Sequence, residues 1–328
     1  MSLDTAPEST APLPRLAIVG AGSMGSGLAA LFALRGFAVA LIDPMPGALA
    51  RAEAAIARQL AALAAPDEAR AARARIEPAD ALAAAATADI VIEAVPEQLP
   101  LKQRVFAELD ALCPPHTVLA TNTSGLSVNT IAQSVSPARR ARFVGAHFFS
   151  PADVIPLVEV IRGDATDDAS AAFVMDVLRR AGKRPVLVRR DIPGFIANRI
   201  QHALAREAIS LLEQGVASAA DIDEVVRWSL GIRLALTGPL EQRDLNGIDV
   251  HHAIASYLYP DLENRTSPAP LMTAMVERGD IGVKAGRGFY DWPEATRAER
   301  LADKSRALSE LAAWLQRREA AADGAQSG

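Results

Sequence analysis

The sequence holds one cysteine, four lysines and no long uninterrupted apolar run. Its lone Cys113 excludes an internal disulfide and a cysteine-based metal cluster, and reads as a packing thiol near a turn. The most apolar segment, ADALAAAATADIVIEAV, is interrupted by Asp80, Asp89 and Glu93, which argues against a membrane span. The opening MSLDTAPESTAPLP has no basic residue before Arg15 and no apolar core, so residues 1–13 read as a tail and not a signal peptide. The expected location is the cytoplasm. Lysine occurs only at 102, 183, 284 and 304, and the formal net charge is -5, so nothing supplies the positive field that attracts a nucleic-acid backbone. The expected partner is a small molecule, with neither nucleic acid nor membrane. With 328 residues, 50% of them hydrophobic, the chain is long enough to bury a large core and form two domains.

The segment LAIVGAGSMGSGLAALFALRGFAVALID begins with a short apolar run, Leu16 to Val19, and passes through Gly20, Gly22 and Gly25 into a helical pattern. That placement has a mechanism. Gly20 permits a tight turn, Gly22 lets backbone approach a pyrophosphate, and Gly25 allows close packing of helix on strand, with Ser23 and Met24 opening the helix whose N-terminus faces the anion. A second apolar run ends in Asp43, where a carboxylate can accept from a ribose hydroxyl. Asp43 also repels a 2′-phosphate, and Pro44-Met45-Pro46 offers no arginine to hold one, so the expected cofactor is NAD and not NADP. The runs ADIVIEAV, TVLATNTS and RFVGAHFF alternate with helical stretches. This predicts a doubly wound α/β sheet of Rossmann type over 14–190, with Glu93, Glu97, Thr121 to Ser124 and His147 at strand ends. Each of those polar residues is either a ligand group or a loop cap.

Beyond Asp191-Ile192-Pro193-Gly194 the period becomes helical. An all-α domain is predicted over 191–317, with helices near 195–214, 220–230, 241–259, 269–278 and 298–317, and a tail over 318–328. Its apolar faces point to a homodimer. Asn198 interrupts an apolar helix start and is either solvent-exposed, bonded to backbone or in contact with substrate.

The stretch GAHFFSPADVIPLVEVI sets His147 and Glu159 among apolar residues. A carboxylate in such a strand needs a partner. Pro151 and Pro156 bracket the intervening loop, so 142–149 and 156–162 can lie side by side. A carboxylate on one ring nitrogen fixes the tautomer and turns the other nitrogen into a general base. The alternative is a core histidine satisfied by backbone, with Glu159 at a solvent edge. No metal site is expected, since His251 and His252 are adjacent and no ligand cluster accompanies His147.

The ordered set GAGSMG, Asp43, EAVPE, TNTS, HFFSP with LVEVI, DIPGFIANRI and KAGRGFYDW resembles the L-3-hydroxyacyl-CoA dehydrogenase family over nearly the whole chain. The resemblance implies NAD-dependent oxidation of a 3-hydroxyacyl-CoA, a role in fatty-acid metabolism, His147 as general base and Glu159 as its orienting partner. It further implies that Ser124 and Asn198 bond the substrate, and that Asp43, Glu97, Lys102, Ser124 and Lys284 join the glycine loop in holding the cofactor. Three features depart from the family pattern. Ser150 stands where many members have asparagine, Gly125 where many have a second serine, and the segment after Asp43 lacks the lysine that fatty-acid enzymes offer to coenzyme A phosphates. Arg70, Arg73 and Arg75 either replace that lysine or form a solvated helix face, the second being the expected role. A relative acting on a small non-CoA hydroxy acid, alcohol or aldehyde is the alternative enzyme, and a non-catalytic NAD-binding protein is the alternative class.

Overall fold

The computed structural model describes residues 11–326. The expected tail 1–13 therefore lies mostly outside the described residues. Ala11 and Pro12 accept hydrogen bonds from Arg180. The chain divides into two compact units, the first ending at Arg199 and the second beginning at Ile200.

In the first unit eight strands form one sheet in the order β3-β2-β1-β4-β5-β6-β7-β8. They are β1 (Leu16–Val19), β2 (Val39–Ile42), β3 (Ile76–Ala79), β4 (Ile90–Glu93), β5 (Val118–Thr121), β6 (Phe143–Phe148), β7 (Leu157–Arg162) and β8 (Arg184–Val188). All neighbours run parallel except the antiparallel pair β6 and β7. Chain order reverses between β1 and its neighbours β2 and β4, which is where a doubly wound sheet opens a crevice at its strand ends. The central strands are buried on both faces, so LAIV and IVIE read as continuous apolar runs and not as alternating ones.

One face packs against α1 (Ser23–Leu34), α2 (Ala48–Leu63), α3 (Pro66–Arg73) and α7 (Asp168–Arg180), through residues such as Leu28, Ile56, Ala72 and Val174. The other packs against α4 (Leu99–Leu112) and the short α5 (Val128–Ala132), with α6 (Pro137–Arg140) following it. Here Phe106 meets Phe143 edge-to-face with centroids 4.7 Å apart. Cys113 is buried in this second layer, and burial pushes its thiol pKa up, as suits a packing residue. The apolar pattern does not predict β3, because Pro78 interrupts it. Proline is tolerated there because β3 is an edge strand.

The second unit is helical. It contains most of α8 (Ala197–Glu213), α9 (Ala219–Val225), a π-helical turn (Val226–Gly231) leading into α10 (Ile232–Leu234), α11 (Glu241–Asn246), α12 (Ile248–Leu258), α13 (Pro270–Arg278) and α14 (Glu294–Gln326). Arg265 ties α8 to the turn beyond α12, bonding Glu213 at 2.6 Å and Glu263 at 2.5 Å.

Three boundaries differ from expectation. The helix predicted over 241–259 is split at Gly247, whose φ of 91° lies in the left-handed region. The tail predicted over 318–328 is helical as far as Gln326, because Arg318 to Ala322 are mostly strong helix formers and extend α14. The first unit runs past the predicted boundary at 191 to Arg199, since the start of α8 is bonded to β7 and to the loop after β5. Among the described residues no helix is long and apolar enough to cross a membrane.

Candidate active site

The glycine loop has the backbone geometry that its spacing predicts. Gly20 sits at φ 105°, and a Cβ there would meet the Ala94 carbonyl oxygen at 2.7 Å, while a Cβ on Gly25 would overlap the Gly20 backbone. Both positions therefore require glycine. A Cβ on Gly22 would meet nothing within 4 Å, so open space lies at the N-terminus of α1, between exposed Gly22 and Ser23, where a pyrophosphate can approach backbone N–H groups. Met24 is half-buried beside it. Asp43 caps this loop from the end of β2, accepting from Ala21 N at 2.7 Å and from Met45 N at 2.9 Å. A carboxylate offers about four lone-pair directions, so two bonds leave room for a ribose hydroxyl.

At the end of β4, Glu93 is fully buried. It accepts from Lys102 Nζ at 2.7 Å, Thr121 Oγ1 at 2.7 Å and Val95 N at 2.8 Å. Burial dominates over these bonds and pushes its pKa up. Lys102 is 1% exposed and also reaches Glu97 at 3.2 Å and the Val95 carbonyl at 3.3 Å. Those three acceptors take all three ammonium protons. Lys102, expected among the cofactor contacts, is thus engaged inside the protein and reaches the loop after β5 through Glu97.

Glu97 in turn organises the loop after β5. It accepts from Thr123 Oγ1 at 2.5 Å, Ser124 N at 2.9 Å and Gly125 N at 3.2 Å. Burial opposes its charge, but these bonds and Lys102 outweigh it and hold its pKa below the usual range. Ser124 is exposed at the tip of this loop, and its carbonyl accepts from Asn198 Nδ2 at 2.8 Å. Asn122 Oδ1 ties the same loop to β6 by accepting from Phe148 N at 2.8 Å.

His147 and Glu159 face each other directly in the β6–β7 register. Nδ1 of His147 lies 2.8 Å from Glu159 Oε2, and both residues are buried. The other carboxylate oxygen, Oε1, accepts from Ile196 N and Ala197 N, each at 2.9 Å, so Glu159 sits at the N-terminus of α8. Burial would raise its pKa, but the bonds from His147, Ala197 and Ile196 overcome that and keep the carboxyl below its usual range. An ionised carboxylate only accepts, so Nδ1 carries the proton and Nε2 of the neutral ring presents a lone pair. The backbone bends sharply into this contact. Phe195 adopts φ 50°, a left-handed conformation costing on the order of 1–3 kcal/mol for such a residue, and its buried ring lies 5.6 Å from the His147 ring.

The first turn of α8 thus joins the two halves of the site, since Ala197 bonds Glu159 and its neighbour Asn198 bonds Ser124. Lys284 is exposed on a one-turn helix, Val283–Ala285, of the second unit. Sequence reasoning missed Phe195 and the α8 N–H groups; it left Thr123 as either a ligand group or a loop cap, and in the structure its hydroxyl bonds Glu97 and Leu126 N. Only the Pro193-Gly194 pair before Phe195 hinted at an unusual turn.

A glycine turn at a helix N-terminus, a carboxylate at the end of β2 and a buried carboxylate–imidazole pair on one doubly wound sheet have the form of an NAD-dependent dehydrogenase. Residues 15–192 match the NAD-binding domain of 3-hydroxyacyl-CoA dehydrogenase, and 194–292 match its C-terminal domain. The chain belongs to the 3-hydroxyacyl-CoA dehydrogenase family, uses NAD and acts on CH–OH groups. A probable 3-hydroxybutyryl-CoA dehydrogenase of Bacillus subtilis is 39% identical over 290 residues, 87% of this chain and 99% of its own length. The 5-formyl-3-hydroxy-2-methylpyridine 4-carboxylate 5-dehydrogenase of Mesorhizobium japonicum is 35% identical over 308 residues, 93% of this chain and 99% of its own length. A crystal structure of the enzyme with that pyridine activity, described as an NAD+-dependent dismutase, superposes with a TM-score of 0.85 at 32% identity, over 93% of this chain and 99% of that one.

Proposed function

We propose that the protein oxidises the hydroxyl-bearing carbon of a small hydroxy acid not carried on coenzyme A, with His147 as general base. The observation that carries the chemistry is the His147–Glu159 pair. Its tautomer leaves Nε2 free to take the hydroxyl proton. NAD+, when bound, accepts the hydride from the same carbon. Glu159 holds the ring by Nδ1 and balances the charge that the ring gains. Ser124 Oγ and the Asn198 side chain, joined through the Ser124 carbonyl, are the groups assigned to bonding the substrate oxygen. Glu97 and Lys102 keep Ser124 in place.

The non-CoA reading is supported by the segment that would meet coenzyme A phosphates. Arg73 bonds Glu53 at 2.6 Å and the Ile76 carbonyl at 3.1 Å, Arg75 bonds the Ala33 carbonyl at 3.4 Å, and Arg70 pairs with Asp67 on an exposed face. Fatty-acyl-CoA chemistry is the second reading, favoured by the family and by the Bacillus subtilis relative. NADH formation with 3-hydroxybutyrate and with 3-hydroxybutyryl-CoA separates the two. A kcat/KM for the CoA ester at least about a hundredfold above every free acid tested would overturn the non-CoA reading.

We also propose a homodimer through the second unit. There Trp228, Ile232, Leu240, Leu245, Ile248 and Tyr257 are all exposed, and a second copy would cover such apolar side chains. Light scattering giving a single-chain mass at micromolar concentration would refute it.

A further inference from the structure

A cleft of about 200 Å³ lies in the first unit beside the start of α1, walled by α1, by α2 and by the loop that follows β6. Ser23, Gln59, Ser150 and Asp153 bring polar side chains to it, and Gly27 and Ala152 are among its apolar lining. A Cβ on Gly27 would lie 3.9 Å from Ala152 Cβ and 4.0 Å from the Gln59 amide, so the missing side chain of Gly27 keeps this space open. Asp153 is the only ionisable residue lining the cleft. Among the described residues, neither the Gln59 amide nor the Asp153 carboxylate makes a hydrogen bond within the protein.

The loop side of the wall is tied down from beneath. Lys183 is 6% exposed beneath the loop, and its ammonium donates to the carbonyls of Ala152 and Ile155, the latter at 2.9 Å. Among the described residues no carboxylate comes within ion-pair distance of it. Asp153 and Arg35 are the charged groups that act on Lys183. The lysine therefore pins the main chain on both sides of Asp153 while leaving that carboxylate unpaired. Ser150 follows His147 by three residues, so the rim of the cleft starts within about 11 Å of the catalytic histidine along the chain.

We propose that this cleft is a subsite for an ammonium or similar hydrogen-bond-donating group at the far end of the hydroxy acid, with Asp153 as acceptor and Gln59 and Ser150 as its polar flanks. The assignment rests on the reading of His147 as the base acting on a small hydroxy acid. The lining carries one carboxylate and no basic side chain, and the Lys183 ammonium behind the loop is engaged by carbonyls, so at the Asp153 end the cleft favours a cation and this subsite sets substrate class by charge.

Matched acids that differ only by ammonium against methyl test it: 4-amino-3-hydroxybutyrate with 3-hydroxypentanoate, 5-amino-3-hydroxypentanoate with 3-hydroxyhexanoate, and 6-amino-3-hydroxyhexanoate with 3-hydroxyheptanoate. Calorimetric binding to full-length His147→Ala saturated with NADH reads the subsite without turnover. In at least one pair the amino acid is expected to bind about tenfold tighter or more. Adding Asp153→Asn should bring that ratio close to one, and Gly27→Val, which fills the cleft, should weaken the longest amino acid most. Equal or better binding of the methyl compounds at every length overturns the proposal, as does no binding of any amino acid or a preference that survives Asp153→Asn. If NADH competes with the amino acids, the cleft belongs to the cofactor and the proposal also falls. Turnover by the His147→Ala enzyme would instead remove the base assignment, while the binding ratio still reports on the subsite.

Discussion

Two buried glutamates lie on strands of the same sheet, Glu93 at the end of β4 and Glu159 within β7, and they behave in opposite ways. Glu93, on β4, faces a lysine and a threonine, yet burial wins and its pKa rises. Glu159, on β7, faces a histidine, and its pKa falls below the usual range. Both accept backbone hydrogen bonds, but Glu93 receives one, from Val95, whereas Glu159 receives two from the opening turn of a long helix. A helix N-terminus stabilises an anion without adding an ion that must itself be desolvated. Glu93 balances charge inside the first unit, whereas the proposed mechanism requires Glu159 to stay ionised so that its neighbour can take up a proton and give it back.

The largest expected effect lies on the reactive side. His147→Ala should lower kcat by about a thousandfold, within the range for loss of a general base, while the NADH dissociation constant measured by fluorescence stays near the wild-type value. Equal loss of both would remove His147 from the chemistry and return the pair to the structural class.

The next prediction sets the two glutamates against each other. In Glu159→Gln the amide oxygen can still accept from Ile196 and Ala197, but the amide nitrogen then faces Nδ1. The ring must present Nδ1 as acceptor and put its proton on Nε2, so kcat should fall by about a hundredfold or more although the fold persists. Glu93→Gln leaves Lys102 with Glu97 and the Val95 carbonyl. It should reduce unfolding free energy by roughly 3 kcal/mol, the lower end for breaking a buried pair, with kcat changed by less than about threefold. The pH dependence differs in sign as well. Stability from Glu159 is complete above the ordinary carboxyl value of 4.5 and is lost as pH falls through its lowered pKa. The Glu93 carboxyl binds its proton more tightly folded than unfolded, so its contribution is greatest below 4.5 and declines as pH rises through its raised pKa. Chemical denaturation across the acid range, wild type against each variant, should give slopes of opposite sign, and slopes of one sign would break the comparison.

Much of this arrangement could be read from residue order. The glycine spacing, the aspartate ending the second strand, and two polar residues inside apolar runs bracketed by Pro151 and Pro156 led to the cradle and to the His147–Glu159 pair, which the β6–β7 register sets face to face. Periodicity could not reach the contacts made by backbone. Nothing in GFIANRI announces that Phe195 takes a left-handed turn so that the next two N–H groups meet a carboxylate 37 and 38 residues upstream. The motif places Lys102 beside the cofactor but does not record how many acceptors surround its ammonium. The helix break at Gly247 and the edge strand around Pro78 were lost for a related reason, since each depends on a neighbour that the local pattern does not contain.

Lys183 extends the comparison to a buried cation. Like Glu93, it is dominated by desolvation. Burial lowers its pKa to about 8 from 10.5, with Asp153 opposing and Arg35 adding to the shift. Unlike Glu93, it has only backbone carbonyls as hydrogen-bond partners. Between pH 8 and 10.5 the unfolded chain holds a proton on this lysine that the folded chain has released, so the folded state gains stability as pH rises through that window. Other groups titrate in the same range, but Lys183→Met keeps them all and removes this one. The unfolding free energy of wild type minus that of Lys183→Met should therefore increase from pH 7.5 to 10.5 by at most about 3 kcal/mol, the shift converted at 1.36 kcal/mol per unit. A flat difference would mean that water reaches the ammonium and that desolvation does not govern it. In that case the contrast between burial-dominated Glu93 and helix-stabilised Glu159 would have lost its independent support.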